Sequence, residues 1–469
     1  MTGFTRRELL KRGAVALAAG NLYSMLDGLA ALPARAAVGA VRPREQYLLP
    51  GLAVTQELAI DVIVPPLHHR VITARVAVSG AALRTAQLRF ERALTALEQR
   101  YPTSAAGLGV TVAWGLPYFR RLVPKLADGR RYPSYLPVDL QASKGQRTRI
   151  PAVIDATRFA SDDQSVALGA DDLAILLRSD QLSHIDDGQH SLVTALGDLF
   201  TVTSVRNGFV GNAKEMAIAA AIPGADLIVD GVQMFLGFTS TQKAAMAPDR
   251  IASFETLIGQ TDQKPGGFWS GGAAMHLSHL DEDVERWWRD VPYPDRLRAS
   301  TRPGLTVPDE TYTIAEDVSR VETAADVHDD LSRFGGVGHS ATLQTVTRLQ
   351  RDTRDAYDAI RLRGTPIVQR ADFNTLDNPF ASPALSTTPS AGVHFIAFAP
   401  TSGLFNRARR AMDGALGDGS TLPLDPRALA QGFNSFLHAT HRQNFLAPPR
   451  PHRSFPLADL AVLAARKRA

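Results

Sequence analysis

Histidine has the widest chemical reach in this chain, because its 469 residues include no cysteine and so offer no thiolate to a metal and no disulfide. Two histidine pairs share one spacing, His276-x-x-His279 and His438-x-x-His441, and the first is followed by Asp281 and Asp283. Imidazoles with nearby carboxylates are the donors of a non-haem metal site. Gly272 to Leu280 reads as a strand, however, and positions three apart on a strand face opposite ways, so His276 and His279 cannot share an ion. His438 and His441 are expected at the end of a helix from Pro426 to Leu437, where that spacing brings side chains together. Neither pair has a third ligand in view. His68-His69 are expected to be solvated, and Trp287-Trp288 read as helix packing rather than an electron relay. The chain contains no GxSxG elbow, no GxxxxGK[ST] loop and no GxGxxG turn.

The elements that must position these residues follow from periodicity. Arg70 to Val78 alternates as a strand, and Ser79 is expected to cap a helix with Leu83, Ala86, Phe90, Leu94 and Leu97 on one face, ending near Tyr101-Pro102. Strands are expected at Leu108–Trp114, Leu173–Leu177 and Thr201–Val205, with a helix over Ser191–Leu199 before the last. That β-α-β-β-α-β order is a ferredoxin-like split unit with both helices on one face of an antiparallel sheet. Further on, Asp281 to Trp288 is expected as a helix with acids at its N-terminus, Val393 to Phe398 as a strand, Leu404 to Met412 as a helix and Asn444 to Leu446 as an edge strand. A tract rich in Pro, Asp and Thr, about 292–390, holds one amphipathic stretch from Leu343 to Ile360; an insertion of that length is expected to build a binding site.

Length argues for two units. A composition of 45% apolar and 21% charged residues is that of an ordinary globular protein. The basic excess of 51 − 47 = 4 has no long run or aromatic interleaving, which excludes nucleic acid as a partner. Thr5-Arg6-Arg7-Glu8-Leu9-Leu10-Lys11, the weakly apolar stretch behind it and Ala34-Arg35-Ala36 read as a twin-arginine export signal over residues 1–36. Its apolar part is too short and polar for a stable membrane span. The expectation is export by the twin-arginine translocase to a periplasmic or extracellular location, a route that carries folded, often cofactor-loaded proteins.

Several segments, in order, resemble the dye-decolourising peroxidase family. Gly107 to Phe119 is similar to its GLTVTxGxGPSLF segment, Asp172 to Asp180 to its DLxxxxxAD strand, and Asn207-Gly208-Phe209 to its QRGF. Gly271 to Leu277 resembles GGSYLVVR, followed by Glu285 and Trp287 as a Glu-x-Trp pair, and Leu437 to Pro449 resembles IxHTGSALFAVPPG. The resemblance implies an α+β fold of tandem ferredoxin-like halves, of the dimeric α+β barrel type, with halves at 37–210 and 211–469. It implies a haem b in the second half, hydrogen peroxide and a bulky or small organic molecule as substrates, and scope for a homo-oligomer. It makes His339 in Gly338-His339-Ser340-Ala341 the candidate axial ligand of the haem iron, with His328 as second choice. The family's GFxDG motif reads Gly237-Phe238-Thr239-Ser240-Thr241 here, so Ser240 stands where the catalytic aspartate is expected, and a serine hydroxyl is no base near neutral pH. The distal arginine of an LRRG-like tetrapeptide maps to Arg363 or Arg361 in Arg361-Leu362-Arg363-Gly364. The strand that reads VVRR in the family is His276-Leu277-Ser278-His279, where His276 could replace the acid as proton shuttle. The readings that follow are a haem peroxidase, a catalytically degenerate haem-binding protein, or a cofactor-free protein that keeps the fold.

Overall fold

A computed structural model describes residues 22–26, 42–57, 60–127, 135–237, 247–305, 321–378, 380 and 388–461. The twin-arginine motif at Arg6 and Arg7, the small-residue site at Ala34 to Ala36 and Ser240 lie outside the described residues.

The first half runs β1 (His68–Val76), α1 (Ala82–Arg100), β2 (Gly109–Gly115), β3 (Leu173–Ser179), α2 (Leu182–Gln189) and β4 (Phe200–Phe209). Its antiparallel order is β4-β1-β3-β2, the ferredoxin-like order fourth-first-third-second. The second half repeats it with β5 (Ala273–Glu282), α3 (Val284–Asp290), α4 (Ala324–Phe334), α5 (His339–Thr347), β6 (Gln369–Arg370), β7 (Phe373–Thr375), β8 (Gly392–Ala399), α6 (Ser402–Met412) and β9 (Leu437–Ala447). There β9 and β8 flank β5, and β7 flanks β8, which is the same permutation. Two seams join the halves: Leu446 of β9 pairs with Trp114 of β2, and Asn374 of β7 pairs with Phe209 of β4. The eight strands β1 to β5 and β7 to β9 therefore close into a barrel, and the sheet edges that would otherwise be exposed disappear.

Alternation along the strands sorts residues to lumen and outer face. Val71, Leu176, Met275, Leu277, Ile396, Phe398 and Phe445 fill the lumen as one apolar cluster. On the outer face of the first half, Ile72, Val112 and Ile175 meet Leu83, Phe90, Leu94 and Leu97 of α1. Burying each of those large α1 side chains is worth about 2–3 kcal/mol, which is enough to hold a helix with no side-chain cap. Residues 22–26 are helical and also packed: Leu26 is buried, and the Tyr23 hydroxyl donates to Asp377 Oδ1 at 3.1 Å while Leu376 N–H donates to it.

Local propensity was overridden at several places. Helix α1 starts after Ala81, so Ser79 does not cap it. No α-helix covers residues 426–437, where only Asn434–Phe436 form a 3-10 turn; Gly432 there takes φ +84°, a conformation that interrupts a helix, and His438 and His441 lie on strand β9 instead. That strand is not an edge, because β5 and β2 bond its two sides. The stretch from Leu343 to Ile360 is helical only to Thr347 and then becomes a hairpin pairing Thr353–Arg354 with Ile360–Arg361. His68 and His69 are buried, because β1 lies between β3 and β4 in the barrel wall.

Candidate functional site

The outer face of the second half differs from that of the first in being polar. His276 and Ser278 of β5 and Arg442 and Asn444 of β9 are all buried there beneath α6. His276 Nδ1–H donates to Asn444 Oδ1 at 2.7 Å, the Ser278 hydroxyl donates to Nε2, and the ring stacks on Phe405 of α6 with centroids 3.3 Å apart. Burial pushes its pKa down to about 3, so it is neutral at physiological pH. The neighbouring Arg442 guanidinium binds both oxygens of Asp162, and Arg409 of α6 binds Asp413 and Ser161. His276 and His279 point to opposite sides of β5, as the strand reading requires: His279 donates from Nδ1 to Thr440 on the lumen side. Among the described residues no group of three or more His, Cys, Asp or Glu side chains is arranged to hold a metal ion.

His339 is the first residue of α5, half-buried, with the Phe433 ring 4.1 Å away. No hydrogen bond to its ring nitrogens occurs among the described residues. Gly432 makes this approach: a Cβ there would sit 3.1 Å from the His339 backbone nitrogen. Desolvation lowers the His339 pKa to about 3, and the charges of Arg370 and then Arg409 add to the effect. Both guanidinium charges are therefore felt at this imidazole. Arg370 sits on β6 opposite Ala397 of β8, and Asp372, two residues on, shares its face and lies 3.6 Å from it. Burial raises the Asp372 pKa to about 6, although Arg370 and the Ile396 N–H, which donates at 3.0 Å, pull it down.

The other sequence candidates lie elsewhere. His328 of α4 is hydrogen-bonded through Nε2 to the Ser420 hydroxyl at 2.9 Å. Arg361 donates to buried Asp355 at 2.8 Å, and exposed Arg363 reaches the Val321 carbonyl at 3.4 Å. His339 is thus a neutral imidazole that feels the charges of Arg370 and Arg409, and Arg370 in turn lies 3.6 Å from Asp372, whose pKa burial raises to about 6. Sequence reading missed Arg370, Asp372 and Arg409. The signal for the first two was present in Gln369-Arg370-Ala371-Asp372-Phe373, whose alternation puts Arg370 and Asp372 on one face. No helix among the described residues is long and apolar enough to cross a membrane.

A family model described as a family of unknown function, DUF7405, matches residues 66–449. No curated protein matches the chain. Among solved structures, a heme complex of a DypB variant from Rhodococcus jostii RHA1 is similar at 14% identity with a TM-score of 0.49, covering 83% of this chain and 96% of that one. The encapsulated DyP-type peroxidase from Mycobacterium smegmatis gives 16% identity and a TM-score of 0.47 over 83% and 95% of the two chains. A dye-decolorizing peroxidase from Bacteroides thetaiotaomicron gives 12% identity and 0.48 over 87% and 97%.

Proposed function

We propose that this chain, which belongs to the family of unknown function DUF7405, is an exported haem-binding protein that uses His339 as the axial ligand and retains a modified peroxidase site. The observation that carries the reading is the state of His339. It is a neutral ring on a helix terminus, with no hydrogen bond to its nitrogens among the described residues, and it feels the charges of two guanidinium groups. Those residues fit a haem, which would supply a redox-active iron and whose carboxylates call for cations. Arg370, exposed beside Asp372, would offer that charge, whereas Arg409 is already held by Asp413 and Ser161. With Ser240 unable to act as a base, Asp372 is the residue suited to hold and return a proton, since its pKa of about 6 lies close to the working range. His276 is ill-suited to that task, because both its nitrogens are engaged.

The twin-arginine motif supports export in the folded state, through the translocase, to the periplasm or beyond. The test is the absorption spectrum of protein made in haem-supplied cells. An intense Soret band is expected in the wild type and absent in His339→Ala; no band in folded wild type overturns the reading. Asp372→Asn should then keep the band and lose peroxide turnover at least about tenfold. One observation favours a second reading, a cofactor-free descendant: Phe405 stacks directly on His276 and fills the neighbouring part of this face.

A further inference from the structure

The lumen of the barrel is apolar for most of its length but polar at the end beside Phe380. Three imidazoles form a row there across adjacent strands, since His394 of β8 and His441 of β9 both lie opposite His279 of β5. His441 stacks on the Phe380 ring at 4.1 Å, Arg206 of β4 lies over that ring at 4.5 Å, and the His279 and His394 rings are 4.7 Å apart. Arg206 is fully buried, donates from Nε to Ser204 Oγ at 3.1 Å, and among the described residues finds no hydrogen-bond partner for Nη1 or Nη2. Both ring nitrogens of His394 and Nδ1 of His441 are likewise buried and unpartnered. Asp171 and Asp377 act on Arg206 through space, but Asp377 Oδ1 is taken by the hydroxyls of Tyr23 and Thr375. A buried guanidinium without a hydrogen-bonded counter-ion is costly, so its retention calls for a ligand.

We propose that this end of the lumen binds a small monocarboxylate, with the two Nη groups of Arg206 donating to its two oxygens and His394 and His441 lining the pocket. The planar fork of an arginine matches a carboxylate bidentately. One guanidinium among neutral imidazoles balances a single negative charge, which favours a monoanion over phosphate. Phe380, half-exposed, packs against both His441 and Arg206 at this end. The site lies on the opposite side of the sheet from His276 and is independent of any cofactor at His339.

The test is thermal melting of the full-length protein in sodium formate, sodium acetate and sodium chloride at equal ionic strength near pH 7.5. Formate should raise the wild-type melting temperature by several degrees and saturate, and chloride should not. Arg206→Met removes an unpaired buried charge, so in chloride it should melt no lower than wild type, and it should not respond to formate. If Arg206→Met melts well below wild type in chloride, the arginine is structural and the proposal fails. If that variant does not fold, titration of ¹³C-formate into wild type and Phe380→Ala decides: line broadening in both, faster in Phe380→Ala, is expected. No broadening in either means a hydrated arginine only, and overturns it.

Discussion

The two halves of the barrel share a strand order and cover their outer faces differently. In the first half, Ile72, Val112, Trp114 and Ile175 pack on Phe90, Leu94 and Leu97. The equivalent face of the second half buries His276, Ser278, Arg442 and Asn444 under a helix that contributes Phe405 and Arg409. The first arrangement gains stability from area alone. In the second, every buried polar group must find a partner. One half therefore covers an apolar outer face and the other a polar one.

That contrast can be broken at its strongest point first. Phe90→Ala removes a fully buried ring that contacts Phe200 and Phe455, and it should cost towards the upper end of about 3–5 kcal/mol in denaturant unfolding. A loss below about 1 kcal/mol would show that the first half is not held by its apolar face. On the polar face, Arg442→Met strands the Asp162 carboxylate. Arg409 remains 3.8 Å from that carboxylate, so the cost should fall at the lower end of about 3–5 kcal/mol. The double variant Arg442→Met/Asp162→Leu should recover most of it, and a double variant as unstable as the single would mean that the pair acts through packing.

Acid should separate the halves by charge. His276, His279, His339, His394 and His441, all in the second half, have pKa values pushed down by burial, the first three to about 3. They stay neutral in the fold but take up protons when unfolded below about pH 6.5, so their contribution is present above that pH and lost as it falls. Asp281 and Asp372, raised to about 6, Glu282, raised to about 8, and Asp377, also raised by burial, act in the opposite sense, since the fold holds their protons more tightly. Burial also lowers His69, in the first half, and His452, and raises Glu45, so seven lowered imidazoles stand against five raised carboxyls among the described residues. Stability should fall from pH 6.5 to 5, by about 1.4 kcal/mol per pH unit for each imidazole in excess, and His394→Leu should flatten the slope. A stability that rises over this range would mean that the carboxyls dominate. The smallest contrast concerns helix ends. Thr323 and Asp326 form a capping box on α4, so Thr323→Ala should cost about 1 kcal/mol, whereas Ser79→Ala should stay within about 0.5 kcal/mol because α1 does not use it. A large loss at Ser79 would contradict the cap geometry.

Both halves were legible in the sequence to different degrees. The first was readable because its strands alternate and α1 repeats at helical spacing, signals that come from one apolar face on one element. The second was legible in part: the expected strands at Gly272–Leu280 and Val393–Phe398 and the helix at Leu404–Met412 fall on β5, β8 and α6, whereas the fate of Pro426 to Leu437 depended on Gly432 and on the long strand that follows it. The site was legible at His339 only through the order of segments along the chain. Arg361 and Arg363 sit in the expected tetrapeptide, yet a hairpin places them against Asp355 and Val321, while Arg370, which acts electrostatically on His339, comes from the next strand.

By itself the sequence determined the absence of thiolate chemistry, the four strands and first helix of the first half, and the opposite orientation of His276 and His279, because these depend on residue type and local periodicity; its second helix was expected over Ser191–Leu199 but lies at Leu182–Gln189 and runs into a π-helical turn at His190–Thr194. Only the tertiary structure decided that the two sheets close into one barrel, that His68 and His69 are buried, and that His394, His279 and His441 form a row beside Arg206. Those facts arise from hydrogen-bond register between strands far apart in the chain, and register is set by the packing of whole faces rather than by neighbours in sequence.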